Sequence, residues 1–232
     1  MIHFLRRFDP HRIRLLVFDL DGTLIDSRLD LIHSVNATLR YFNRPELEGH
    51  IIASYVGDGA PALMSRALGD ADENLHREGL QYFLGYYRLH KLDHTTVYEG
   101  VPEMLAHLAD SNGQQTDGLE RLMAVLSNKP VNPSRDIIQA LRLSDFFVRI
   151  YGGNSFATKK PDPLGVRTLL RETGVPAAEA LMIGDSSVDV LTGRNAGLWT
   201  CGVNYGFAPE SLSEFPPDVS IESPRELADL LL

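Results

Sequence analysis

The apolar positions of the chain change their spacing twice, and each change predicts a different kind of element. Leu15-Leu16-Val17-Phe18 is an unbroken apolar run, which reads as a strand buried on both faces of a parallel sheet. It stops on Asp19 and Asp21, two acids that flank one leucine, with Gly22 directly after them. Beyond Thr23 the spacing becomes helical. Leu29, Ile32, Val35, Leu39 and Phe42 fall at three- and four-residue steps, the pattern of an amphipathic helix, and 60–68 and 75–87 read the same way. Tyr55-Val56-Gly57-Asp58-Gly59 interrupts them as a glycine-flanked turn, and no strong strand candidate lies between 27 and 97. From Gly100 onward helices and strands alternate: helix 101–109 with Pro102 in its first turn, strand 122–126, helix 135–141, strand 147–151, helix 163–172, strand 181–183, helix 188–196 and a closing strand 199–203. That rhythm is the signature of an α/β fold with a parallel sheet. The helical stretch is then an insertion after the first strand. Segment 111–120 is polar, with two glycines and two glutamines, and is expected to be an exposed, mobile loop.

Composition changes this picture little. The chain has 232 residues, 44% hydrophobic and 23% charged, ordinary for a globular protein and long enough for one core with a sizeable insertion. Lys and Arg number 22 against 31 acids, a formal charge of -9. No basic stripe is present, which argues against nucleic acid as a partner. No apolar run approaches the roughly 20 residues of a membrane span, and residues 1–14 carry arginines without the apolar segment of a signal peptide. The single cysteine, Cys201, excludes an intrachain disulfide and suits a reducing cytoplasm. Its expected role is that of a small buried hydrophobe.

Chemistry concentrates just past the strands. Asp19 and Asp21 follow the first. Ser127-Asn128-Lys129 follows 122–126, Lys159-Lys160-Pro161-Asp162 follows the strand ending near 151, and Gly184-Asp185-Ser186-Ser187-Val188-Asp189 follows 181–183. Parallel strands present their carboxyl ends together, so these loops should meet at one crevice. Closely spaced carboxylates repel unless a cation or a proton intervenes, and a hard divalent ion such as Mg2+ is the simplest neutraliser. The D-x-D-G string is not a calcium loop, because Val17 stands where that loop needs an oxygen ligand and a strand precedes it. No Walker-type phosphate loop and no Ser-His-Asp arrangement is in view. The inventory therefore suits phosphoryl transfer onto a carboxylate, with a lysine, hydrogen-bond donors and a metal neutralising the oxygens and a second acid moving the proton.

In order along the chain, Asp19-Leu20-Asp21-Gly22-Thr23, Ser127-Asn128, Lys160-Pro161 and Gly184-Asp185 with Asp189 resemble the four motifs of the haloacid dehalogenase superfamily of phosphatases. Asp26-Ser27, Val35-Asn36-Ala37-Thr38-Leu39 and the turn at 55–59 look most like its phosphoglycolate phosphatases. The resemblance implies a Rossmann-like α/β core of residues 1–26 and 98–232 and a small, mobile, all-helical cap of residues 27–97. It implies Asp19 as nucleophile and Mg2+ ligand, and Asp21 as general acid/base that also reaches the metal through its backbone carbonyl. Ser127 and the Asn128 N–H would bind phosphoryl oxygens, with Thr23, Gly57, Asp58 and Gly59 as further substrate-binding positions. Lys160 would neutralise nucleophile and phosphate. Asp185 would be a metal ligand, and Asp189 would complete the site or orient a water. Segment 111–120 departs from the family by its length.

Three functions follow from this resemblance. The first is a Mg2+-dependent phosphomonoesterase acting through an aspartyl-phosphate on a small phosphorylated metabolite, 2-phosphoglycolate foremost. A phosphosugar mutase of the same fold, or a phospho-accepting signalling module, are the alternatives. A lid over such a site would exclude water and select the leaving group, with hinges near 24–27 and 97–100.

Overall fold

The computed structural model describes residues 2–110 and 121–231, so the loop expected at 111–120 lies outside the described residues. In chain order the elements are β1 (His3–Phe4), β2 (Leu15–Phe18), β3 (Ile25–Asp26), α1 (Arg28–Tyr41), α2 (Gly49–Ser54), α3 (Ala60–Leu68), α4 (Glu73–His90), β4 (Thr96–Val97), α5 (Val101–Asp110), β5 (Leu122–Leu126), α6 (Val131–Ala140), β6 (Arg149–Tyr151), α7 (Leu164–Thr173), β7 (Ala180–Gly184), α8 (Ser187–Ala196), β8 (Trp199–Val203), β9 (Val219–Ile221) and α9 (Pro224–Leu231).

One sheet runs β1-β9-β8-β7-β2-β5-β6. Its pairings are parallel except for β1 against β9. The unbroken apolar run of β2 reflects burial on both faces. Leu16 and Phe18 join one apolar cluster with Val101, Leu105 and Ile137 from α5 and α6. Leu15 and Val17 join the other with Val166 and Leu169 from α7. Because β2 pairs with both β5 and β7, the chain changes direction across the sheet there, and Phe18 stands level with Val125 and Ile183. The residues that follow these three strands therefore leave the sheet side by side, at the switch point where open α/β sheets bind ligands.

Helices α1 to α4 build a separate apolar cluster from Leu31, Val35, Leu39, Leu63, Met64, Phe83 and Tyr87, among others. The inward stripe of α1 is not the expected one: Leu31, Val35 and Leu39 are buried whereas Leu29 is 53% exposed. Steps of four from Leu31 set the inner face, and Leu29, two residues earlier, points away from it. The absence of a strand between 27 and 97 is likewise corrected by β4, which pairs antiparallel with β3. Two residues are too few to show a period. Short α2 was not expected at all, and β8 does not close the series, since β9 and α9 follow it. Among the described residues no helix is long and apolar enough to cross a membrane.

Asp30 fastens the start of α1 to the returning strand. It is buried, and its carboxylate accepts from the His94 N–H at 2.9 Å, the Thr95 N–H at 2.8 Å and the Thr95 hydroxyl at 2.7 Å. Asp30→Ala would strand those buried donors and is expected to cost about 3 kcal/mol, read by chemical denaturation. A loss below the error of that measurement would contradict the role.

Candidate functional site

Leu20 accepts from the N–H groups of Thr23, Leu24 and Ile25 at 3.0–3.3 Å, so the chain turns back sharply after β2 and leaves Asp19 and Asp21 facing the crevice. Gly22 sits at φ +84, and a Cβ there would lie 2.2 Å from an Asp185 carboxylate oxygen. Only glycine accepts that backbone and lets the loops after β2 and β7 approach so closely.

The structure brings Asp19, Asp185 and Asp189 together, all buried, with oxygens within 4.8 Å of one another. Lys160 Nζ lies 2.8 Å from Asp19 and 2.6 Å from Asp189. Burial pushes Asp19 up to about 6, with Asp189 adding to the rise and Lys160 opposing it. Burial, then Asp189 and Asp19, push Asp185 up to about 8. Burial acts to lower Lys160, but Asp189 and Asp19 outweigh it and hold the ammonium above the usual lysine value. Asp185 is steadied by the Phe207 N–H at 2.6 Å and the Ala208 N–H at 3.3 Å, in a loop that the sequence pattern did not mark.

Asp21 lies apart from that trio. Its carboxylate takes Lys129 Nζ at 2.7 Å and the Ser27 hydroxyl at 2.5 Å, so any hold of Asp21 on the same ion falls to its backbone carbonyl. Both oxygens of Asp189 are engaged, one by Lys160 and the other by the Ser186 hydroxyl and N–H. It positions Lys160 and the start of α8 and has little left for an ion.

Ser127 and Asn128 line a cavity of about 60 Å³ together with Asp19, Asp21, Asp185, Gly57 and Gly59. At about 10–15 Å³ per water-sized group, that space suits a small molecule. The Asn128 side chain also braces the loops around it. Its amide donates to the Gly57 carbonyl at 3.0 Å and the Lys160 carbonyl at 3.1 Å and accepts from the Lys160 N–H at 3.0 Å. One side chain thus ties the turn at 55–59 to the two loops below it. Asp58 and Thr23 do not line the cavity. The Asp58 carboxylate pairs with Arg66 and its carbonyl accepts from Lys159, while Thr23 is buried and its carbonyl accepts from the Tyr205 hydroxyl at 3.0 Å.

The donor set fits a hard cation. Four buried or nearly buried carboxylates, Asp19, Asp21, Asp185 and Asp189, face two ammonium groups, Lys129 and Lys160. The formal surplus is two negative charges, all carried on oxygen, which a single Mg2+ would cancel. Asp19, Asp185 and Asp189 are close enough together to hold it, and of the three Asp189 has the most hydrogen bonds already on its oxygens.

The haloacid dehalogenase-like hydrolase family matches residues 16–203. A Chromobacterium violaceum protein named phosphoglycolate phosphatase is 36% identical over 224 residues, covering 94% of this chain and 96% of that protein. The chain belongs to the haloacid dehalogenase-like hydrolase family. A Vibrio parahaemolyticus protein of the same name is 33% identical over 229 residues, 94% of this chain and 96% of its own. A crystal structure described as a predicted phosphoglycolate phosphatase from Haemophilus somnus superposes with a TM-score of 0.85 at 26% identity, covering 95% of this chain and 99% of that one. This haloacid dehalogenase-like hydrolase is accordingly an enzyme, and its α/β fold is that of its structural neighbours.

Proposed function

We propose that this hydrolase cleaves small phosphomonoesters through an aspartyl-phosphate, with 2-phosphoglycolate as the foremost substrate and Mg2+ as the cofactor. The observation that carries the reading is the convergence of Asp19, Ser127 and Asp185 from three strand-end loops on one small cavity, with Lys160 from a fourth loop 2.8 Å from Asp19. The names of the relatives from Chromobacterium and Vibrio favour phosphoglycolate among such esters.

In this reading an Asp19 oxygen attacks phosphorus while the ester P–O bond breaks, and Asp21, which enters this step protonated, gives that proton to the departing oxygen and regains one from water in the next. Water then attacks the same phosphorus, Asp21 takes its proton, and the bond to Asp19 breaks. Ser127 and the Asn128 N–H hold the equatorial oxygens, and Lys160 balances charge at Asp19. Mg2+ held by Asp19 and Asp185 would supply further neutralisation of the phosphoryl oxygens. Helices α1 to α4, within residues 27–97, act as the cap: Leu31, Leu63 and Phe83 roof the cavity and exclude water from these contacts.

The test is a screen of small phosphorylated metabolites with and without Mg2+. Release of phosphate from phosphoglycolate that depends on Mg2+ is expected. Isomer formation without free phosphate would instead indicate a mutase, and a protein-bound phosphate lasting hours would indicate a signalling module.

A pH-dependent signature follows from the raised carboxyls. Asp19 and Asp185 bind more protons folded than unfolded, so without metal their contribution makes stability fall as pH rises from about 4 towards about 8. A metal ion must displace those protons. The rise in melting temperature on adding Mg2+ is therefore expected to be larger at pH 8 than at pH 6. An equal or smaller rise at pH 8 would contradict the assignment.

A further inference from the structure

Lys129 has no part in the chemistry above, yet it is buried in the wall of the cavity. Among the described residues that line that cavity it is the one cation. The other cations nearby are engaged elsewhere: Lys160 with Asp19 and Asp189, Arg66 and Lys159 with Asp58, and Arg28 with Asp26 at 2.5 Å. The helices roof the same space with Leu31, Leu63, Phe83 and Leu84, which offer an anion nothing. Tyr87 of α4 is the exception. Its ring centroid lies 4.7 Å from Lys129 Nζ, which also stands close enough to the buried hydroxyl to oppose the effect of burial on it, and that hydroxyl donates to no acceptor among the described residues. Burial pushes that hydroxyl up to about 12, so it remains a donor at neutral pH.

Lys129 Nζ reaches the two Asp21 oxygens at 2.7 Å and 3.0 Å. If Asp21 serves the leaving oxygen, this ammonium stands beside the carbon that bears it. In a phosphorylated 2-hydroxy acid the carboxyl carbon is the next atom along. An ammonium carries three donors, and a charge-assisted bond to a carboxylate is among the stronger ones in a buried site. We propose that the Lys129 ammonium and the Tyr87 hydroxyl form a carboxylate-binding subsite that selects phosphomonoesters bearing a carboxylate on the ester carbon. The inference rests on the phosphatase reading and names the groups that would set its substrate class. One group comes from the loop after β5 and the other from the roof, so the subsite exists only when α4 sits over the sheet.

Steady-state kinetics of the full chain with 2-phosphoglycolate and with ethyl phosphate, which lacks the carboxylate, test this. Wild type should favour phosphoglycolate. In Lys129→Met the ratio of the two kcat/KM values should fall by about 100-fold, and in Tyr87→Phe by about 10-fold, the scales of a charged and a neutral hydrogen bond. Equal losses on both substrates would overturn the proposal and leave Lys129 as a positioning residue for Asp21. Should Lys129→Met fail to fold, glycolate inhibition of ethyl phosphate hydrolysis replaces it. Glycolate should compete in wild type and weaken about 10-fold in Tyr87→Phe, and unchanged inhibition would overturn the proposal. A wild type active on both esters without preference sinks the subsite alone, whereas inactivity on every phosphomonoester sinks the phosphatase reading itself.

Discussion

Asp19→Asn is expected to abolish turnover, by about 10⁴-fold or more, the scale of removing a nucleophile that acts within a catalytic unit. The amide is nearly the same size as the carboxylate but cannot attack phosphorus. The fold should survive. Burial and the Asp189 charge already push the Asp19 carboxyl up to about 6, so removing its charge relieves as much as it disturbs. Phosphate release at a hundredth of the wild-type rate or better, from a folded variant, would contradict the assignment.

The second large effect falls on Lys160, which holds two buried carboxylates at 2.8 Å and 2.6 Å. Lys160→Met would leave Asp19 and Asp189 facing each other without a counter-charge. Breaking a buried ion pair from one side costs about 3–5 kcal/mol, and losing a positioned cation at the reacting phosphoryl group costs about 10²–10³ in rate. The two losses separate in a double variant. Lys160→Met with Asp189→Asn should recover much of the stability, because the repulsion is gone, but none of the activity. Denaturation midpoints and kcat measured on the single and double variants check this, and recovered turnover in the double variant would rule out the role of Lys160.

Much of the core was legible because β2, β5, β7 and β8 are short apolar runs that end abruptly on polar loops, and a parallel sheet sets such ends together. That logic alone is enough to bring Asp19, Ser127, Lys160 and Asp185 to one place. Elements whose order comes from their neighbours were not legible. β1 and β9 have two and three residues and are defined by their neighbours, β1 by β9 and β9 by β8 and β1, so neither carries a period of its own. Leu29 looked like part of a buried stripe only because a helix of five apolar positions admits more than one inner face.

The side-chain partnerships show the same divide. Lys129 was named only as part of the Ser127-Asn128-Lys129 cluster and given no role, because its acid partner is 108 positions away in the chain. Its one visible signal was its place directly after Ser127-Asn128. Tyr87 looked like another apolar position of α4, and only the fold places its hydroxyl over Lys129. The Asn128 amide illustrates the reverse. Its backbone was expected at the phosphate, but its side chain also joins the turn at 55–59 to the Lys160 loop.

In the proposed reaction phosphorus rests covalently on residue 19 between two displacements. Borohydride added during turnover of 2-phosphoglycolate with Mg2+ reduces an acyl-phosphate to an alcohol, and peptide mass spectrometry locates it. Conversion at Asp19 that requires both substrate and Mg2+ is expected. Conversion at a different carboxylate, or none at all while phosphate is being released, would contradict it.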